Sequence, residues 1–320
     1  MMLRLKNFFI TFVIALAVFA VLAYSGIHLA SAAILTPDGE KSDSGDSSND
    51  NNLPGNSDND EPAPGLIDGQ TFSFILIGTD EGPGGQADVG SLDRQYGVRA
   101  GAIIYVRLIR ETNTALIIPI PPTTIINARG VNMPIYRAYE TLGNDAPQFM
   151  AYAVSWLTGL PVDFWAVANF SGMAAIIDRL GGVMFDVPYN MVYSNEESGI
   201  NINIRQGSQR LSGRAAVDML RFPNHPSVES QLNLMVSFFQ RLYRDTATVS
   251  NFDNATGLFS DLVRHTRTNF TLADLVSNLP LIFHYNQMTE VVLHLPGTYN
   301  EDGIFTHNQL QSHRLFASYR

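Results

Sequence analysis

The sequence has no cysteine. This excludes a disulfide framework, a thiolate zinc site and a cysteine nucleophile. Beyond residue 65 it also has no lysine, so all 17 basic residues of that stretch are arginine. Positive charge is scarce throughout: 20 basic side chains face 30 acidic ones, a net charge of −10. Non-specific nucleic-acid binding needs a basic surface, so that class is excluded. Several chemical motifs are missing as well. No calcium loop of the form D-x-[DN]-x-[DN]-G is present, and no G-x-S-x-G nucleophile elbow. The glycine-rich stretch 82–85 (GPGG) lacks the Lys-Ser/Thr tail of a phosphate loop and reads as a loop at a site mouth. His225, His265, His294 and His307 are isolated from one another, outside any metal-ligand spacing.

The residues that are present fall into segments. Residues 8–24 (FFITFVIALAVFAVLAY) form an apolar run with one polar member, Thr11. At about 1.5 Å per residue a helix of that length reaches roughly 25 Å, near the lower limit for a bilayer. Arg4 and Lys6 precede it and acids dominate on its C-terminal side, which predicts a cytoplasmic N-terminus and an external bulk. Ala30-Ser31-Ala32 offers the alternative of a cleaved signal peptide. Residues 36–65 carry eight acids against the single Lys41, among Ser, Asn, Gly and Pro. Such a stretch buries too little apolar surface to offset chain entropy and reads as a self-repelling tether. The expected organisation is a short cytoplasmic end (1–7), a transmembrane anchor (8–30), a disordered acidic linker (31–68) and an extracellular domain (69–320).

Within the domain, apolar runs at 72–77, 102–109 and 114–120 predict strands, the last two as a hairpin around the polar break 110–113. Further strands are expected at 161–170, 183–187 and 290–295. Helical spacing is expected at 146–157, 171–180, 212–221, 229–243 and 274–283, with Gly181-Gly182 stopping the second and Ser212 capping the third. Alternating strands and helices predict a layered α/β domain.

Three stretches, read together, resemble the LytR-CpsA-Psr (LCP) family of cell-envelope proteins. Residues 159–188 (GLPVDFWAVANFSGMAAIIDRLGGVMFDVP) look like its G-[IL]-P-[IV]-D, N-F, D-x-L-G-G-V and D-V-P pattern. Residues 204–221 (IRQGSQRLSGRAAVDMLR) resemble its G-x-Q-x-L-[NS]-G-x-x-A pattern ending in arginine. Residues 74–80 (FILIGTD) resemble its opening strand, with Arg99 following a glycine-rich loop. The resemblance implies a single α/β/α domain with a central mixed sheet on a single-pass anchor in the cell membrane. It implies a polyprenyl-pyrophosphate lipid, its tail in an apolar tunnel, whose glycopolymer is transferred as a phosphate to peptidoglycan with Mg²⁺ or Mn²⁺. Phosphoryl transfer of that kind is mainly positioning and charge neutralisation. The partners implied are the polyprenyl-linked glycopolymer, peptidoglycan and the membrane.

The resemblance carries Asp80 over as the metal ligand and Arg99 and Arg221 as catalytic and pyrophosphate-binding residues. Arg137 is a further candidate for the pyrophosphate, as a substitute in reach and not a motif match. Arg94, Asp88 and Asp93 in the loop after Asp80 are others of that kind. Each has a plainer reading. Asp80 could cap a turn, Arg99 pair with a surface acid, Arg221 complement a helix dipole, and Arg137 be a solvated helix arginine. Asp178 and Gly181-Gly182 match the family but read as structural. The sequence also departs from the pattern. The family's R-S-D-T is here Arg99-Ala100-Gly101-Ala102, its I-P-R-D is Ile120-Pro121-Pro122-Thr123, and its R-x-R is Arg221-Phe222-Pro223. A domain that keeps the fold and binds a lipid or wall partner without transfer is therefore the alternative.

Overall fold

The computed structural model describes residues 71–80, 100–196, 200–246 and 265–320. The expected anchor and linker lie outside them, as do the 82–85 loop, Asp88, Asp93, Arg94 and Arg99. Among the described residues no helix is long and apolar enough to cross a membrane.

In chain order the strands are β1 (Thr71–Thr79), β2 (Ala100–Ile109), β3 (Thr114–Pro119), β4 (Ile125–Ala128), β5 (Val131–Pro134), β6 (Phe164–Asn169), β7 (Val183–Val187), β8 (Met191–Asn195), β9 (Ile200–Ile204), β10 (Gly207–Leu211), β11 (Thr266–Thr268), β12 (Thr289–Val292), β13 (Gly297–Tyr299) and β14 (Phe305–His307). The helices are α1 (Ile135–Leu142), α2 (Ala146–Thr158), α3 (Phe170–Arg179), α4 (Gly213–Leu220), α5 (Val228–Thr246), α6 (Leu272–His284) and α7 (Gln309–Leu315). The central sheet has the order β11-β6-β1-β2-β3-β12. β1 pairs parallel with β6, β3 pairs parallel with β12, and β2 runs antiparallel between β1 and β3. The sheet is mixed, as expected, and the carboxyl ends of β1, β3, β6 and β12 share one edge.

The expected hairpin forms: Asn113 takes φ 52° and its N–H donates to the Arg110 carbonyl at 3.2 Å. Two expected strands are shorter than their apolar runs. The run at 161–170 yields only β6, because both of its ends are diverted. At its start Asp163 is held by Ser73, whose N–H and hydroxyl donate to Asp163 Oδ2 at 3.1 and 2.6 Å. At its end Asn169 caps α3, its side chain accepting from the Gly172 N–H at 2.7 Å, so Phe170 is already helical. The run at 290–295 stops at Val292, although Leu293 N–H still reaches the Ile117 carbonyl at 3.0 Å.

Strand alternation sends side chains to two faces. Ile75, Ile77, Ile103, Tyr105, Leu116 and Ile118 pack under α1 and α2. Phe72, Ile104, Val106, Leu108 and Ile117 face α5 and α6. A third cluster joins α3, α4 and α5 to the small sheets β7-β10 and β8-β9, around Ile177, Val183, Ile202, Val217 and Phe238. Gly181 and Gly182 end the α3 segment at φ 78° and 84°, backbone angles that favour glycine. Asp178 is structural, as expected: its Oδ1 accepts the Gly213 N–H at 2.7 Å, tying α3 to the first turn of α4.

Candidate functional site

Asp80 follows β1 directly, half-buried at the edge where the parallel strands end. Across from it β2 begins at Ala100, and a register shift there leaves Gly101 as an extra residue: Gly78 pairs with Ala102 and Thr79 with Ala100. Such a bulge interrupts the ladder and re-aims the backbone. Gly101 is exposed, and among the described residues a Cβ added to it would meet only Phe170 Cζ, at 3.6 Å. The position thus has room for the carboxylate that the resemblance leads one to expect.

The chain leaving β3 reaches the same edge through Pro121-Pro122-Thr123. Thr124 folds it into a turn, its N–H and hydroxyl donating to the Pro121 carbonyl at 3.0 and 2.6 Å. The first turn of α1 docks on this stretch, since Tyr136 N–H donates to the Pro122 carbonyl at 3.1 Å. Arg137 is therefore the neighbour in space of the Pro122-Thr123 stretch, with an exposed side chain.

α5 runs from this edge to the opposite one: Asn233 meets His294 at 3.1 Å, beyond the carboxyl end of β12, while Gln240 and Arg244 meet Glu290 near its start. The α4–α5 loop, which Arg221 opens, thus leads to the carboxyl edge. Arg221 itself is 10% exposed and bound to the similarly buried Asp218 through both Nε (3.0 Å) and Nη2; Arg214 Nε takes the other carboxylate oxygen at 3.0 Å. Part of the Arg221 charge is thereby neutralised before any anion arrives. Of the four predicted site residues, Asp80 and Arg137 belong to segments at the carboxyl edge, Arg221 begins a loop that leads there but turns to Asp218, and Arg99 lies outside the described residues.

Between the sheet and helices α5 and α6 lies a cavity of about 320 Å³. Its walls are apolar, from Phe72, Phe74, Leu76, Ile104, Val106, Val236, Phe239 and Phe270 among others. Along this face the side chains shrink toward the carboxyl edge: Phe72, Phe74, Leu76, Gly78 on β1; Leu108, Val106, Ile104, Ala102 on β2; Phe164, Ala166, Ala168 on β6. The Phe170 ring fills the space this leaves, 3.8 Å from where a Gly78 Cβ would sit. The other end of the cavity is polar. Tyr285 and Gln240, both cavity residues, donate to the two oxygens of Glu290 at 2.7 and 2.8 Å, and Arg244 pairs with Glu290 at 3.5 Å.

One pair at the carboxyl edge had no sequence signal. In the α4–α5 loop His225 Nδ1 makes a short hydrogen bond with the Tyr189 hydroxyl, and its ring packs edge-on against Phe222. Burial lowers His225 from its ordinary value to about 4. The unfolded chain therefore takes up this proton first as the pH falls. The stability involved is complete above about pH 6.5 and is lost as the pH falls toward 4. Melting temperature is expected to fall across that window, and less steeply in His225→Gln. Equal slopes in the two proteins would show that His225 is not buried in this way in solution.

No group of three or more His, Cys, Asp or Glu side chains that could hold a metal ion occurs among the described residues. Asp80 is the described carboxylate that the resemblance assigns to a metal, Gly101 supplies none, and a Mg²⁺ ion is usually held by one or two carboxylates besides phosphates and waters.

A mixed sheet with an apolar cavity on one face, and loops gathered where its parallel strands end, defines a domain that can shelter an apolar chain beside a polar edge. The LytR_cpsA_psr family model matches residues 38–315, and the chain belongs to that family. An uncharacterised protein of Staphylococcus aureus is 26% identical over 206 residues, 62% of this chain and 49% of that protein. A probable cell wall biosynthesis protein, LcpB of Corynebacterium glutamicum, is 27% identical over 163 residues, 50% of this chain and 38% of that one. The chain thus spans about half or less of the length of these curated relatives. Among solved structures, TagV of B. subtilis superposes with TM-score 0.59 at 17% identity, covering 79% of this chain and 98% of that one. TagT bound to LIIa-WTA gives TM-score 0.56 at 18% identity, covering 78% and 89%. The protein gbs0355 of Streptococcus agalactiae gives 0.62 at 15%, covering 77% and 84%. At these identities the likeness is one of fold.

Proposed function

We propose that the protein binds a polyprenyl-pyrophosphate-linked glycopolymer and serves its attachment to peptidoglycan at the outer face of the cell membrane, where residues 8–30 anchor it. The observation that carries this reading is the apolar cavity on the sheet face beneath α5 and α6; the Phe170 ring stands between it and the edge where Asp80 lies. The lipid tail would occupy the cavity. The pyrophosphate would sit at the edge, where arginines supply bidentate donors. Arg221 and Arg137 are the described arginines assigned to it, and the resemblance assigns Arg99 to it as well. Membership of the family and the presence of TagT bound to LIIa-WTA among its structural neighbours support the same class.

A second reading, binding without transfer, is favoured by a specific observation. Gly101 and Pro122-Thr123 stand where charged motif residues are expected, and Arg221 is already engaged by Asp218. One lost charge-assisted donor commonly costs on the order of 10²-fold or more in rate.

Native mass spectrometry with polyprenyl phosphate, followed by a transfer assay to glycan acceptors with Mg²⁺ or Mn²⁺, separates the two. The lipid is expected to be retained. Gly101→Asp, for which there is room, is expected to raise transfer on the order of 10²-fold by supplying a second carboxylate beside Asp80. Absence of lipid retention would sink both readings. Retention with no transfer, even by Gly101→Asp, selects the second.

A further inference from the structure

We propose that a second site, at the base of the β13–β14 hairpin and the facing side of α2, binds a neutral oligosaccharide. A cleft of about 490 Å³ opens there, within the usual range for small-ligand sites. Its walls come from Thr298, Thr306, His307, Asn308, Gln309 and Gln311. They hold hydroxyls, amides and an imidazole, and no carboxylate, lysine or arginine. A phosphate or a charged peptide would find no countercharge in such a cleft. Hydroxyls and amides both donate and accept, which is what a sugar hydroxyl needs from its neighbours.

The cleft adjoins an aromatic platform. Trp156 and Tyr152 lie one turn apart on α2 and are 52% and 66% exposed. Single apolar residues at a surface are ordinary, but two large exposed rings four positions apart share one helix face and offer contact area with polar rims. Trp156 is joined to the cleft through His307, their ring centroids 5.0 Å apart at 61°. His313 Nε2 and the Trp156 carbonyl, 3.0 Å apart, fix α7 to α2 at the same place. The platform and the cleft are therefore held in one geometry by packed elements.

The polar groups are partly spoken for and partly not. Asn308 Oδ1 accepts from the Gln311 N–H at 3.1 Å, which leaves the Asn308 amide group as a donor. His307 Nε2 is buried and has no hydrogen-bond partner among the described residues. Burial, and then the neighbouring His313, also lower the His307 pKa from its ordinary value, which favours the neutral ring.

The proposal does not depend on the lipid chemistry of the carboxyl edge. Trp156 and Trp165 are the chain's two tryptophans, so a Trp165→Phe variant of the full chain makes fluorescence a direct report on Trp156. Titration with chitotetraose, cellotetraose and maltotetraose is expected to give a saturable shift and quenching for at least one of them. Tyr152→Ala and Gln311→Ala in that background are each expected to weaken it about tenfold, the scale of one aromatic or hydrogen-bonded contact. Calorimetry on the chain with both tryptophans, and on Trp156→Ala, gives the same comparison if Trp165→Phe folds poorly. The proposal is overturned if none of the sugars gives a saturable response. It is also overturned if binding survives Trp156→Ala unchanged, or if inorganic phosphate moves Trp156 and the sugars do not.

Discussion

Replacing Gly213 with alanine is expected to cost about 3 kcal/mol or more of folding stability, the upper range for forcing atoms into a filled interior. The added Cβ would lie 2.0 Å from the Ala174 carbonyl oxygen and 2.6 and 2.7 Å from the carbon atoms beside it. These are backbone atoms of α3, so no side chain can swing aside. Relief requires α4 to move off α3. That movement stretches the bond from Gly213 N–H to Asp178 Oδ1, now 2.7 Å, and opens the cluster around Ile177 and Val217. For a domain of this size the melting temperature should fall by roughly 10 °C. Gly101→Ala, where the nearest atom among the described residues would be 3.6 Å away, should change it by about 2 °C or less. Thermal unfolding followed by circular dichroism compares the two. A Gly213→Ala melting temperature close to that of the parent chain would mean that the two helices do not touch this closely in solution.

Gly213 also illustrates what was legible in the residues alone. Its place in the pattern around residues 204–221, together with Asp178 and Gly181-Gly182, points to the family without any knowledge of contacts. The structure gives those residues packing roles: a helix-to-helix bond and one helix-ending turn with two consecutive glycines at positive φ. The hairpin of β2 and β3 and the long helices were legible for a similar reason, since apolar period and turn residues are local signals. The ends of β6 were not. They depend on Ser73, 90 positions away from Asp163 in sequence, and on Asn169 capping the next helix. The site was legible only as a set of types. The resemblance named Asp80 and Arg221, with Arg137 as a substitute in reach, and left out that Asp218 claims Arg221, although the two stand three positions apart at the end of α4. Nor could it show the cavity, whose walls come from four strands and two helices, or the Tyr189–His225 pair that joins two loops.

Filling that cavity is the change expected to affect ligand binding most. Ala166 lies on its wall beside Leu76, its partner in the β1–β6 register. In Ala166→Phe the new ring would project into the space of about 320 Å³. A cavity of about 150 Å³ lined by aliphatic and aromatic groups accommodates benzene, so the ring has room without forcing the sheet from α5 and α6. It would gain contacts with neighbours that now face empty space, and fold stability should be unchanged or slightly higher. Polyprenyl phosphate should lose the volume its tail needs, and retention in native mass spectrometry should fall by on the order of 10²-fold, as expected for about 3 kcal/mol of lost apolar burial. A polar blockade would be harder to interpret, since charge on this wall would also unsettle the packing of Phe72 and Val106. Because Ala166→Phe leaves Asp80, Arg137 and Arg221 untouched, a loss of lipid with preserved melting temperature assigns the tail to this cavity. Undiminished retention would place the lipid elsewhere on the molecule and remove the main support for a lipid-binding role at this face of the sheet.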